Sequence, residues 1–257
     1  MARTLVVIPA YREEDTVAEI VRRVQDVGFD CVVVDDGSPD RTARRARDAG
    51  AVVLQLPTNM GIGAAMRCGF RYAITRGYSC VVQCDADGQH PPEEIPRLVR
   101  LAAERGSHLL IASRFVDGSG EYDLHRARRG AMKLLSRLAY QRGGVRVHDS
   151  TSGFRVVNQP LLSEFARAYP AHYLGDTFEV LVATGRAGYQ VDEVPADFLQ
   201  RVSGEPSSGM FNSISKIVRV GVSVLAGLGP VFAPITRDED LPSTSPTSTM
   251  PPAADLG

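Results

Sequence analysis

The first 113 residues alternate between short apolar runs and stretches of helical spacing, and few folds accept that rhythm. Residues 4–9 read TLVVIP. In residues 14–27, Val17, Ile20, Val21, Val24 and Val27 recur at intervals of three and four, the period of one helix face. The strand pattern returns in CVVVD (31–35), AVVLQL (51–56), SCVVQCD (79–85) and HLLIAS (108–113), with helices expected over 39–49, 62–76 and 92–105. Strands that are apolar almost throughout are buried on both faces, so the reading is an α/β fold with a mostly parallel sheet covered by helices on both sides. Ligands of such sheets bind beyond the carboxyl ends of the strands.

Past residue 114 the rhythm loosens. A Gly-rich, charged segment (117–130) leads to helices expected near 130–142, 160–168 and 175–187, and YQVDEVPADFLQRV reads as an extended stretch at the sheet's edge. Residues 1–208 are read as one domain, 209–236 as an amphipathic, apolar C-terminal helical segment, and 237–257, rich in Pro, Ser and Thr, as a disordered tail. The stretch VGVSVLAGLGPVFAPI (220–235) is short of the ~18–20 apolar residues that span a bilayer. It suits a helix docked on the core, or an element lying on a membrane or binding a small membrane partner.

Four strand ends share one edge: PAYREE (9–14), DDGSPDRT (35–42), DADGQH (85–90) and SRF (113–115). Glu13, Asp35, Asp36, Asp85 and Asp87 would repel one another there unless a cation sat among them. A divalent ion bridging a diphosphate meets that need, because Mg²⁺ and Mn²⁺ take one or two carboxylates and leave other positions to phosphate and water. In strand geometry Asp85 and Asp87 point to opposite faces, so they converge only if the chain turns, which Gly88 permits. Ser38 and Pro39 are expected as N-cap and first residue of the second helix, and Glu93 and Glu94 as first-turn acids without a catalytic role. GIGAAM (61–66) lacks the third glycine of a dinucleotide-binding turn, and DADGQH lacks the closing Glu of a calcium loop.

A net charge of −1 gives no basic field for nucleic acid. Cys31, Cys68, Cys80 and Cys84 form no Cys-x-x-Cys pair and are expected as reduced core residues of a cytoplasmic protein. The stretch MARTLVVIPAY is not expected to act as a signal peptide.

VVIPAYREEDTV, VVVDDGSPDRTA, NMGIGAAMRCGFRYA, CDADGQHPPEEI, ASRF, TSGFR and GYQVDEVP together resemble family 2 glycosyltransferases of the GT-A fold. The likeness is to the dolichyl-phosphate mannosyltransferase-like branch, whose members make polyprenyl-phosphate sugars. The resemblance implies that Pro9, Tyr11, Glu13, Val34 and Asp36 cradle base and ribose. It implies that Asp85, Ala86 and Asp87 form the Asp-x-Asp element for metal and diphosphate, with Gln89 as a third contact to Mg²⁺ or Mn²⁺. Arg114 and Arg201 match arginines that meet the phosphates, and Glu179 matches a Glu of this branch. Residues 201–207 read Arg-Val-Ser-Gly-Glu-Pro-Ser, so Ser207 stands where such relatives carry a Lys.

The implied reaction is inverting, metal-dependent transfer of a sugar from a UDP- or GDP-sugar to a polyprenyl phosphate at the cytoplasmic membrane surface. An anionic acceptor needs a positive collar and no base, and Arg126, Arg128 and Arg129 suit that task. A hydroxyl acceptor would require a base, for which Asp176 stands where other family 2 enzymes place an Asp. A non-catalytic sugar-nucleotide-binding subunit is the third reading.

Overall fold

The computed structural model describes residues 3–113, 137, 140–149, 152–171, 176–199 and 230–235. Among the described residues the seven strands are β1 (Thr4–Ala10), β2 (Asp30–Asp35), β3 (Val52–Gln55), β4 (Cys80–Gln83), β5 (Leu109–Ser113), β6 (Arg155–Asn158) and β7 (Val191–Pro195). They form one sheet in the order β3-β2-β1-β4-β6-β5-β7. All are parallel except β6, which runs antiparallel between β4 and β5. The expected edge stretch is β7, paired parallel to β5.

Among the described residues the helices include α1 (Val17–Asp26), α2 (Thr42–Asp48), α3 (Ile62–Thr75), α4 (Ile95–Arg105), α5 (Leu161–Ala168) and α6 (Asp176–Arg186). Alternate strand residues feed two cores. Leu5, Val7, Val32, Val34 and Val81 pack with Met66, Phe70, Phe165 and Leu181 on one face. Val6, Ile8, Val33 and Val82 pack with Ile20, Val24, Ala46 and Leu98 on the other. Each fully buried Val, Leu or Ile contributes about 1.5–3 kcal/mol, so helices on both sides are required to cover the sheet. In α1 the expected stripe is the buried one, Val17, Ile20, Val21 and Val24, while Val27 caps the end. Gly106, at φ 66°, closes α4 in the left-handed conformation that glycine accepts without strain.

One local expectation is overturned. Helix α2 starts at Thr42, so Ser38 and Pro39 are neither its N-cap nor its first residue. Ser38 is engaged elsewhere: its Oγ accepts the Arg12 N–H at 3.0 Å and its own N–H donates to Asp35 Oδ1 at 3.3 Å. The N-cap is Arg41, and Asp40 just before it accepts the Thr42 N–H at 3.0 Å.

The seam between α3 and α5 is close. Arg67 donates to the Arg167 carbonyl at 2.6 Å and Arg71 to the Ala166 carbonyl at 3.0 Å, which satisfies two of the last carbonyls of α5. A Cβ on Gly63 would lie 2.2 Å from the Pro170 carbonyl oxygen, so only glycine lets this chain segment pass α3.

Residues 230–235 are not helical and dock on the body. Phe232 is buried against Phe165, Ala233 N–H donates to Glu164 at 2.8 Å, and Tyr189 Oη donates to the Ala233 carbonyl at 3.1 Å. The rest of the expected C-terminal helical segment and the tail 237–257 lie outside the described residues. Among the described residues no helix is long and apolar enough to cross a membrane. All four cysteines are free, with Cys31, Cys80 and Cys84 buried.

Candidate active site at the carboxyl ends of the parallel strands

β1, β2, β4 and β5 end on the same edge, because β6 pairs antiparallel with both β4 and β5. Pro9 and Val34 are register partners on β1 and β2, both buried. Asp36 follows at once, its N–H donating to the Ala10 carbonyl at 2.9 Å. Tyr11 follows β1 and is 37% exposed, with the Arg12 guanidinium over its ring at 5.4 Å. Glu13 is fixed through its N–H, which donates to Thr42 Oγ1 at 2.9 Å. Between them Arg12 adopts φ 58°, a left-handed conformation uncommon for a residue with a side chain and held here by Ser38.

Asp36 is buried, and its carboxylate accepts the N–H of Met60 at 2.7 Å and of Gly61 at 2.8 Å. Burial pushes its pKa up, and those two amides pull the other way. Gly37, at φ 68°, packs so closely on Thr58 that a Cβ would lie 2.5 Å from its carbonyl carbon. The β2 and β3 ends are thereby locked together.

β4 ends at Gln83, two residues before Asp85, so the expected strand 79–85 is shorter and the aspartates lie on a turn. Gly88, at φ 79°, completes that turn. Asp87 Oδ1 accepts the Gln89 N–H at 3.0 Å. Gln83 Nε2 donates to Asp85 Oδ1 at 3.1 Å, and Asp85 Oδ2 faces His90 Nε2 at 3.7 Å. Ala86 is buried behind the turn. The Gln89 carbonyl accepts the Leu199 N–H at 3.0 Å, tying the turn to the stretch after β7.

The donor set suits a hard divalent cation. Two carboxylates share one turn, and the absence of a side chain at Gly153 leaves space beside Asp85, where a Cβ would come within 3.1 Å of Oδ2. Among the described residues no group of three or more His, Cys, Asp or Glu is arranged to hold a metal.

Several expected site residues lie outside the described residues: Arg114, Arg126, Arg128, Arg129 and Arg201. Asp176 opens α6, and Glu179 lies one turn further along that helix. Helix α4 starts at Ile95 rather than at residue 92, so Glu93 and Glu94 lie on a 3-10 turn before it instead of in its first turn, and they pair with Arg23 and Arg97. Four residues that sequence reasoning left without a role support the turn: Gln83, His90, Gly153 and Phe154. His90 was visible as the residue closing DADGQH, five positions after Asp85.

Residues 5–165 match the family model for glycosyl transferase family 2. The chain belongs to that family. It is therefore a family 2 glycosyltransferase, 34% identical over 234 residues to a polyprenol monophosphomannose synthase of Mycolicibacterium smegmatis, a match covering 86% of this chain and 87% of that protein. It is 35% identical over 214 residues to an undecaprenyl-phosphate mannosyltransferase of Micrococcus luteus, covering 79% of this chain and 86% of the relative. A solved neighbour is glucosyl-3-phosphoglycerate synthase of Mycobacterium tuberculosis, crystallised with Mn²⁺, UDP and glucosyl-3-phosphoglycerate. That likeness has a TM-score of 0.63 at 22% identity, covers 88% of this chain and 79% of the other, and establishes the GT-A fold.

Proposed function

We propose that this glycosyltransferase moves a sugar from a nucleoside diphosphate to a polyprenyl phosphate, inverting the anomeric carbon, at the cytoplasmic face of a membrane. The observation that carries the reading is the match, across 86% of this chain, to a relative named for making a polyprenol monophosphate sugar. The site chemistry supports it independently, because Asp85 and Asp87 share a turn beside the nucleotide edge of β1 and β2.

In this reading Pro9, Tyr11, Glu13, Val34 and Asp36 hold base and ribose, and Asp85, Asp87 and Gln89 hold Mg²⁺ or Mn²⁺ against the diphosphate. When bound, the ion supplies Lewis-acid neutralisation of charge growing on the leaving diphosphate, worth several kcal/mol. Ala86, the middle residue of this Asp-x-Asp element, is buried. Arg114 and Arg201 are proposed to meet the donor phosphates, and Arg126, Arg128 and Arg129 the acceptor phosphate. A phosphate acceptor is already anionic at neutral pH, so its attack on the anomeric carbon requires no base, and orientation contributes much of the remaining rate.

A mass-spectrometric transfer assay tests this, using UDP- and GDP-sugars, a polyprenyl phosphate in detergent, and Mn²⁺, Mg²⁺ or chelator. The expected product is a polyprenyl-phosphate sugar that disappears with chelator and falls about a hundredfold or more in Asp87→Asn. Asp176→Asn is expected to leave the rate nearly unchanged. Donor binding without lipid product, or wild-type transfer to a hydroxyl acceptor that Asp176→Asn cripples, would overturn the reading.

A further inference from the structure

We propose that His90 is a positioning residue that aims the Asp85 carboxylate, an inference that rests on reading Asp85 and Asp87 as cation ligands. The ring is 1% exposed, so it does not itself reach the diphosphate. Its Nδ1 accepts the Asp85 backbone N–H at 3.0 Å. That bond leaves the ring proton on Nε2, which faces Asp85 Oδ2 at 3.7 Å. Gln83 holds the other carboxylate oxygen at 3.1 Å. One histidine therefore addresses both the backbone and the side chain of the same aspartate, while a glutamine on β4 fixes the remaining oxygen.

The ring is itself immobilised. It stacks on Phe154 with centroids 4.8 Å apart and planes 8° from parallel, and meets Phe198 nearly edge-on at 5.5 Å. Cys84 Sγ–H donates to the His90 carbonyl at 3.8 Å. Three segments distant in sequence thus meet at this ring: the Asp85–Asp87 turn, the Gly153–Phe154 approach to β6, and Phe198 after β7. Gly153 is part of the device, since a Cβ there would lie 3.1 Å from Asp85 Oδ2 and 3.4 Å from His90 Cε1. A ring that merely filled the core would need no nitrogen toward Asp85. Outer groups that orient a metal's ligands typically set affinity by about 10–100-fold.

The test is a Mn²⁺ titration followed by electron paramagnetic resonance, with UDP or GDP present, on the full chain. His90→Phe keeps the stack on Phe154 and removes both nitrogens. It is expected to raise the Mn²⁺ Kd tenfold or more while Tm moves by only a few degrees. His90→Asn offers an oxygen near the Nδ1 position and is expected to lose less. Gly153→Ala keeps the imidazole but places a Cβ 3.0 Å from Gln83 Nε2, 3.1 Å from Asp85 Oδ2 and 3.4 Å from His90 Cε1, and is expected to weaken Mn²⁺ as well. Wild-type affinity in His90→Phe, or in His90→Asn if His90→Phe does not fold, would overturn the role of His90 while sparing the metal reading. Wild-type protein that takes up no Mn²⁺ with either nucleotide would overturn both.

Discussion

The Asp36 carboxylate at the end of β2 accepts the Gly61 N–H, the residue that caps α3, at 2.8 Å. With the Met60 amide, this makes Asp36 the N-terminal anchor of a helix 25 residues further along the chain. Acidic groups at a helix N-terminus are favoured by its unpaired amides and its dipole. The same side chain is assigned to the nucleotide cradle, so it serves stability and binding together.

Asp36→Ala is expected to cost about 1–3 kcal/mol, because two donors lose a charged acceptor. Asp36→Asn, which keeps one oxygen, is expected to cost less. Urea unfolding monitored by circular dichroism measures both. Equal stability of Asp36→Ala and wild type would show that the amides find other partners.

Gly63→Ala sets two effects against each other. Alanine gains about 1 kcal/mol of helix propensity over glycine. Its Cβ would meet a backbone oxygen, that of Pro170, at 2.2 Å, and backbone cannot rotate away as a side-chain tip can. Overpacking of this kind typically costs about 1–3 kcal/mol, so net destabilisation is expected. The measurement is Tm by thermal unfolding, which is expected to fall. A rise in Tm would show that the α3–α5 seam is looser than described.

The 230–235 anchor is expected to depend on pH through Glu164. The Arg167 guanidinium, and then the Ala233 N–H, hold Glu164 below the usual carboxylate range against the opposing effect of burial. A lowered folded-state pKa means that the ionised form stabilises. That contribution is complete above the ordinary carboxylate range and is lost as pH falls through the folded value. Exchange of the Ala233 amide, corrected for its intrinsic rate, should therefore accelerate in acid, and Glu164→Gln should flatten the trend. An Ala233 protection factor that stays constant from neutral pH to pH 3 would rule the mechanism out.

Much of the fold is legible in side-chain spacing. The alternation of apolar runs with helical stripes specifies α1, α3 and the core strands, because burial on one helix face or on both strand faces leaves a periodic trace. The acidic strand ends are equally readable, since Asp35-Asp36 and Asp85-Ala86-Asp87 stand at the ends of apolar runs. Spacing does not encode which backbone a distant segment will meet. RVVN reads the same for either direction, and its place as the antiparallel β6 between β4 and β5 depends on hydrogen bonds between chain segments some 45–75 residues apart. The start of α2 moved for a similar reason, because Arg12, 26 residues earlier, claims the Ser38 hydroxyl.

The sequence alone therefore determined the layered sheet, the edge that carries the acids, and the family-wide chemistry they suit. Tertiary structure alone decided that the Asp85 turn leaves β4 at Gln83, and that His90, Phe154 and Phe198 close around it. The physical reason is range. Periodicity records what each element buries, whereas the aim of a carboxylate is set by hydrogen bonds and ring contacts from segments with no shared pattern in the sequence.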